Sequence, residues 1–225
     1  VQPLREKGNS VLVNGGYEFA VPGTEADRQP QAVGNLKRAL ELMAYDIFLM
    51  SPSDATVFRN TGTTVPRSWT RPLDRPELIV KAVPDGSLAF VLFPDTGQPD
   101  PDMEKELTRF TRDLRQSGQF NLIVGVSTWG ATRESAFIEQ SEPVFDIVLG
   151  SGEGPGYPGL YLQGNRVLWL RAFTKGKSVL SVTIPRLPAP GTKAAWDPEA
   201  SVRTQSLTLD DAVPSAPEIE AIFKP

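Results

Sequence analysis

The chain of 225 residues contains no histidine and no cysteine. The first absence removes the commonest metal ligand and the usual proton shuttle near neutral pH. It also excludes a Ser-His-Asp triad. The second excludes disulfides, thiol catalysis and cysteine-rich zinc sites, but leaves the compartment open, because cytosolic and secreted chains alike can lack cysteine. No Ser-x-x-Lys spacing suggests a Ser-Lys pair, no Walker sequence occurs, and no apolar run is long enough to span a bilayer. The 27 acidic and 23 basic residues give a formal charge of -4, with no basic stripe among aromatics. That balance disfavours nucleic acid as a partner. The opening segment Val1-Gln2-Pro3-Leu4-Arg5 has no apolar signal core, which reads as a cytosolic chain or as one already processed or trimmed.

What is present is the composition of a soluble globular protein, 40% hydrophobic and 22% charged, expected to form one domain over residues 1–225. Ser10 to Val13 reads as a buried strand entering the turn Asn14-Gly15-Gly16. Val33, Leu36, Leu40 and Met43 recur at helical spacing, predicting an amphipathic helix over 31–44. A second strand follows over 46–50 and ends at Ser51-Pro52-Ser53-Asp54, so strand, helix and strand make a parallel crossover unit. Residues 55–77, rich in Thr, Pro and Arg, read as a long loop or insertion. A hairpin is expected over 78–93 around Pro84-Asp85-Gly86-Ser87. Asp100-Pro101 opens a helix with the stripe Met103, Leu107, Phe110 and Leu114.

Strands are expected over 121–126 and 144–149, flanking a short helix over 131–140 and running into Ser127-Thr128-Trp129-Gly130 and Gly150-Ser151-Gly152-Glu153-Gly154. Three further strands, 159–162, 166–172 and 178–184, form an antiparallel meander with turns at Gln163-Gly164-Asn165 and Lys175-Gly176-Lys177. A Pro-rich connection over 185–200 leads to a last strand over 202–209. Ser215-x-x-Glu218 reads as a capping box before a closing helix. Gly154-Pro155-Gly156-Tyr157-Pro158-Gly159 matches G-x-G-x-x-G in form only. Its prolines lack amide donors, and a strand follows where the motif needs a helix.

In order and wording these segments resemble the calcineurin-like metallophosphoesterase domain, in its bacterial 5'-nucleotidase and UDP-sugar hydrolase branch. The phrases that carry the resemblance are Gly16-Tyr17, Ala44-Tyr45-Asp46 leading to Ser51-Pro52-Ser53-Asp54, Ser127-Thr128, Gly150 to Gly154, Gly176-Lys177-Ser178-Val179, and the tail from Leu207 to Phe223. The resemblance covers nearly the whole chain. It implies a mixed α/β fold, a four-layer sandwich of two mixed sheets flanked by helices, in a bacterial extracytoplasmic setting. The family's first strand, which carries Asp-x-His, is expected to be missing from this chain, by evolutionary loss or by trimming.

The family holds two metal ions with ligands that this chain does not match. Its bridging Asp falls on Tyr17, its Asn ligand on Pro52, the adjacent catalytic His on Ser53, and three later His on Thr128, Gly152 and Gly154. None of these replaces an imidazole at a divalent metal. With Asp54, Trp129 and Glu153 they outline a vestigial cleft at the strand ends, in which Tyr17 fills the vacated metal volume. The expectation is a catalytically inactive binding or structural component without metal or cofactor. Its partner is a protein, or a small nucleotide or sugar ligand. Two alternatives stay open. One is a phosphoesterase with an oxygen-ligand site drawn from Asp54, Glu153 and Asp95 or Asp146. The other is a nucleotide or sugar sensor, in which Trp129 stacks on the ligand instead of packing in the core.

Overall fold

Among the described residues, four of the five helices begin with proline, and in each the residue before the proline is the N-cap. Proline fits the first helical position because its missing N–H would have no partner there and its φ is already helical. The computed structural model describes residues 10–20, 29–140, 142, 144–173, 176–210 and 212–224. Within them the helices are α1 (Pro30–Met43), α2 (Pro52–Thr61), α3 (Pro101–Gln116), α4 (Ala131–Gln140) and α5 (Pro217–Phe223). The opening segment at Val1 and the turn residue Lys175 lie outside the described residues.

The main sheet has six strands, β3 (Glu77–Val83), β4 (Gly86–Leu92), β5 (Leu122–Ser127), β6 (Ile147–Gly150), β7 (Tyr157–Leu162) and β8 (Val167–Arg171). Their order is β3-β4-β5-β6-β8-β7, with the four central strands parallel and both edges antiparallel. Two short ladders stand apart from it. Strands β1 (Val13–Asn14) and β2 (Ile47–Phe48) pair in parallel across α1, as the crossover reading requires, and β9 (Ser178–Thr183) pairs antiparallel with β10 (Arg203–Thr208). The expected mixed α/β architecture is present, and the two ladders are separate two-stranded sheets.

Alternation along the strands sorts the core. In β4 and its extension, Ala89, Val91 and Phe93 face α3 and α4, while Phe90 and Leu92 face the other way, toward Ile47, Leu49 and Trp196. Around β2 the same period of two divides Ile47 and Leu49, which face the main sheet, from Phe48 and Met50, which face α1 and α2. The apolar clusters therefore stack in sequence: α3 with α4, the six-stranded sheet, the β1–β2 ladder, then α1 with α2. Trp69 closes the last cluster by stacking on Phe48 at 3.8 Å with the rings 4° from parallel. Fully burying a side chain of that size stabilises the fold by about 1.5–3 kcal/mol.

Three expectations are corrected. The loop expected over 55–77 begins as helix α2, because Ser51-Pro52-Ser53-Asp54 is not a strand stop but a capping box with proline at the first helical position. The meander breaks after β8: β7 and β8 do form a hairpin, but β8 lies parallel to β6, and β9 leaves to pair with β10. At the C-terminal helix the N-cap is Ala216, with no side-chain cap, so Ser215 does not form the expected capping box. Pro217 fixes the helix start one residue later than the capping-box pattern implies. The Pro-rich connection is a packed strap: Trp196 Nε1 donates to the Asp146 carbonyl at 2.8 Å and Ala194 N to Asp146 Oδ1 at 2.9 Å. Among the described residues no helix is long and apolar enough to cross a membrane.

Candidate functional site

The loops that follow β1, β2, β4, β5 and β6 converge at the carboxyl ends of the parallel strands, where open α/β folds bind ligands. Here they are stitched to one another. The Ser151 hydroxyl donates to the Gly15 carbonyl and, at 2.9 Å, to the Ser127 carbonyl, joining the ends of β1, β5 and β6. Thr128 Oγ1 donates to Asp95 Oδ2 at 2.5 Å, and Gly97 N donates to Asp95 Oδ1 at 2.8 Å, which ties the β4 loop to the β5 loop.

Asp54 is fully buried and accepts five hydrogen bonds. Tyr17 N (2.6 Å), Ser51 N (3.1 Å) and Ser51 Oγ (2.9 Å) donate to Oδ2, while Phe19 N (2.9 Å) and Ala20 N (3.1 Å) donate to Oδ1. The carboxylate therefore does two jobs. It completes the α2 cap, where a negative charge also suits the helix dipole, and it folds residues 17–20 over that helix end. Neighbouring Pro52 and Ser53 form the first turn of α2, both half-buried.

Tyr17 reaches this place through a left-handed backbone, φ 64°, directly after Gly16 at φ 90°. Such a conformation is uncommon for a bulky residue and is held only where surroundings enforce it. Its hydroxyl donates to the Thr128 carbonyl at 3.2 Å. Its ring lies so close to Gly152 that a Cβ there would stand 3.0 Å from Cε2 and 2.9 Å from the Thr128 oxygen. Gly152 thus serves close approach as well as its φ of 87°. Burial, then the charges of Asp95, Asp54 and Glu134, push the Tyr17 phenol up to about 12.

A folded-state pKa raised above the unfolded value of 10 contributes stability that is complete below pH 10 and lost as pH rises through about 12. Absorbance titration of phenolate is expected to show one tyrosine ionising near pH 12, and Tyr17→Phe should remove that step. A titration unchanged by Tyr17→Phe contradicts the placement of its hydroxyl.

Beneath the loops lies an ion pair that sequence reading missed. Glu134 on α4 and Arg171 at the end of β8 are buried, and Arg171 Nη1 donates to Glu134 Oε2. Trp169 Nε1 donates to the same oxygen at 3.0 Å. The rest of the guanidinium fans out to loop carbonyls: Nε to Pro155 at 3.1 Å, Nη1 to Ser151 at 3.0 Å, and Nη2 to Gly152 and Glu153, both at 3.0 Å. Burial pushes the Glu134 carboxyl up, while the Arg171 charge holds it down. The one available signal was an arginine closing the otherwise apolar run Val167-Leu168-Trp169-Leu170.

The candidate residues separate accordingly. Tyr17, Asp54, Thr128 and Gly152 meet in one hydrogen-bonded and packed group. The Glu153 side chain is exposed, and this residue acts through its backbone, its carbonyl accepting from Ala131 N at 2.7 Å. Gly154, at φ 112°, abuts Ala131, whose Cβ would be 2.5 Å from an added Cβ. Trp129 packs edge-on to Phe93 and Phe137, its Nε1 donates to the Pro94 carbonyl at 2.6 Å, and the Arg133 guanidinium covers its face at 3.7 Å. The packing reading holds in place of a free stacking platform.

The oxygen-ligand alternative fares no better. Asp146 precedes β6 and Glu153 follows it, so they sit at opposite ends of the strand. Asp146 is committed to Arg115 at 2.5 Å and to two backbone amides. Divalent cations need several free oxygens converging on one point. Asp54, Asp95 and Glu134 already accept hydrogen bonds from the chain, and among the described residues no group of three or more acidic side chains is placed to hold a metal ion. Among the described residues, these side chains do not fit a two-metal centre.

Fold and site define a mixed α/β protein whose strand-end loops are closed by its own side chains. No protein-family model matches the chain, and no curated protein matches it. A solved structure, the crystal structure of a hypothetical protein from Thermus thermophilus, is similar with a TM-score of 0.35 and 15% identity over 74% of this chain and 76% of that one.

Proposed function

We propose that this chain is a catalytically inactive relative of the calcineurin-like metallophosphoesterases, serving as an extracytoplasmic binding or structural component. The observation that supports the reading is the Tyr17 ring. It occupies the position where the resemblance places a bridging aspartate, packs on Gly152, and is tied by its backbone to Asp54. Phosphoester hydrolysis by metal-bound hydroxide needs an open coordination position and room for the substrate beside it. An aromatic ring and saturated carboxylates supply neither. What the fold has there is a set of loops hydrogen-bonded to one another and to a buried ion pair, which suits a scaffold.

Hydrolysis of bis(p-nitrophenyl) phosphate and of nucleotides by the purified protein, with Mn²⁺, Zn²⁺ or Ca²⁺ in turn, tests the reading. No turnover above the metal-only background is expected. Turnover that follows protein concentration and is abolished by a chelator sinks it.

A further inference from the structure

The two edges of the six-stranded sheet are built differently. Edge β7 is interrupted by a register shift between Tyr157 and Leu160 and carries Pro158, which has no N–H to donate, and Gly159. Bulges and prolines are among the devices that keep sheet edges from pairing. Edge β3 has neither. Its seven residues run in unbroken register with β4, from Glu77 opposite Leu92 to Val83 opposite Gly86. All are apolar except Glu77 and Lys81, Val80 is 50% exposed, and among the described residues no strand pairs with the outer side of β3.

We propose that β3 pairs antiparallel with β3 of a second copy of this chain about a two-fold axis at Ile79, joining the two sheets into one. In such an isologous contact residue i meets j and j meets i. Centred on Ile79, the register sets Glu77 against Lys81 of the other copy, twice. It also sets Leu78 against Val80, giving the exposed valine an apolar neighbour. Centred one residue further on, at Val80, Lys81 would face Ile79 and Glu77 would face Val83, and both ion pairs would be lost. Directly opposed charges of unlike sign favour the first register.

The backbone permits it whichever alternate N–H and C=O groups face outward, because an antiparallel two-fold can sit on a hydrogen-bonded or a non-hydrogen-bonded pair. Both charges are available. Glu77 is exposed and is in none of the ion pairs among the described residues, and Lys81 makes only a long contact, 3.5 Å, to Asp46. The inference goes beyond the functional proposal above and stands whether or not the protein hydrolyses phosphoesters.

Sedimentation equilibrium of the intact chain tests it. A dimer is expected. Glu77→Lys and Lys81→Glu, each setting two like-charge pairs across the axis, should raise the dissociation constant about tenfold or more. The double exchange should restore it. Circular dichroism shows whether the variants fold. If Lys81→Glu does not, Glu77→Lys carries the test alone, since Glu77 makes no ion pair among the described residues. A monomer at all concentrations overturns the proposal. So does a dimer that ignores Glu77→Lys, or one lost instead through Leu42→Glu in the groove of about 400 Å³ between α1 and α5.

Discussion

Arg171→Met is expected to lower folding stability by about 3–5 kcal/mol, because it strands the buried Glu134 carboxylate without its partner. In a chain of this size that corresponds to a fall in Tm on the order of 10 °C. Arg171 is 2% exposed and Glu134 is 0% exposed, so solvent does not screen the loss. Removing the guanidinium also takes a donor from the carbonyls of Ser151, Gly152, Glu153 and Pro155, of which Ser151 and Glu153 keep the amides of Gly130 and Ala131. The double variant Glu134→Leu with Arg171→Met separates these contributions. It no longer isolates a charge, so stability should recover in part, but not fully, since Trp169 Nε1 and the carbonyls of Gly152 and Pro155 still lack the partners that the pair supplied. Full recovery would show that the loop contacts contribute nothing. Urea unfolding monitored by tryptophan fluorescence gives both values.

The second large effect is expected at Asp54. Asp54→Ala removes the carboxylate half of the α2 capping box, while the Ser51 hydroxyl still accepts from the residue 54 amide. It also leaves the buried amides of Phe19 and Ala20 unpaired, at about 1–3 kcal/mol each. The expected total is about 3–5 kcal/mol, allowing for relaxation of residues 17–20. Asp54→Asn should be nearly as damaging. Its one oxygen serves either the two donors now on Oδ1 or the three on Oδ2, and its amide then faces the remaining N–H groups. A structural acceptor and a metal ligand differ in one readout. Excess chelator should leave the Tm of the native protein unchanged, whereas a ligand role would make Tm depend on metal.

Much of the frame was legible because periodicity and capping act locally. The stripe of Met103, Leu107, Phe110 and Leu114 marks α3, and α4 occupies residues 131–140 as read. Proline at the first helical position marks α1, α2, α3 and α5, yet it is persuasive in sequence only at 101, where an acidic cap and a long stripe agree. At Pro52 the preceding apolar run suggested a strand stop, and α2 buries only Asp54, Val57 and Phe58, too short a stripe to stand out. The exit of β9 from the meander was not legible. Pairing of Ser178–Thr183 with Arg203–Thr208 is decided by which face of the main sheet Leu180 and Val182 cover, a tertiary choice.

The site was legible as a place but not as a mechanism of closure. The turns at 14–17, 51–54, 127–130 and 150–154 do converge, as their order implied. The residues that hold them, Ser151, Glu134 and Arg171, are brought together from positions that local patterns do not connect. Arg171 lies 37 residues from Glu134. A charged residue ending an apolar strand asks for a buried partner, but the sequence does not say which acid answers.

The closed strand-end site is tested most directly by the rate at which the purified protein hydrolyses bis(p-nitrophenyl) phosphate in saturating Mn²⁺. The expected rate equals the Mn²⁺-only background and does not change in Asp54→Ala, assayed at a temperature where circular dichroism shows that variant folded. A rate proportional to protein concentration, removed by chelator and abolished in Asp54→Ala, would contradict a site that Tyr17 fills and Asp54 holds shut.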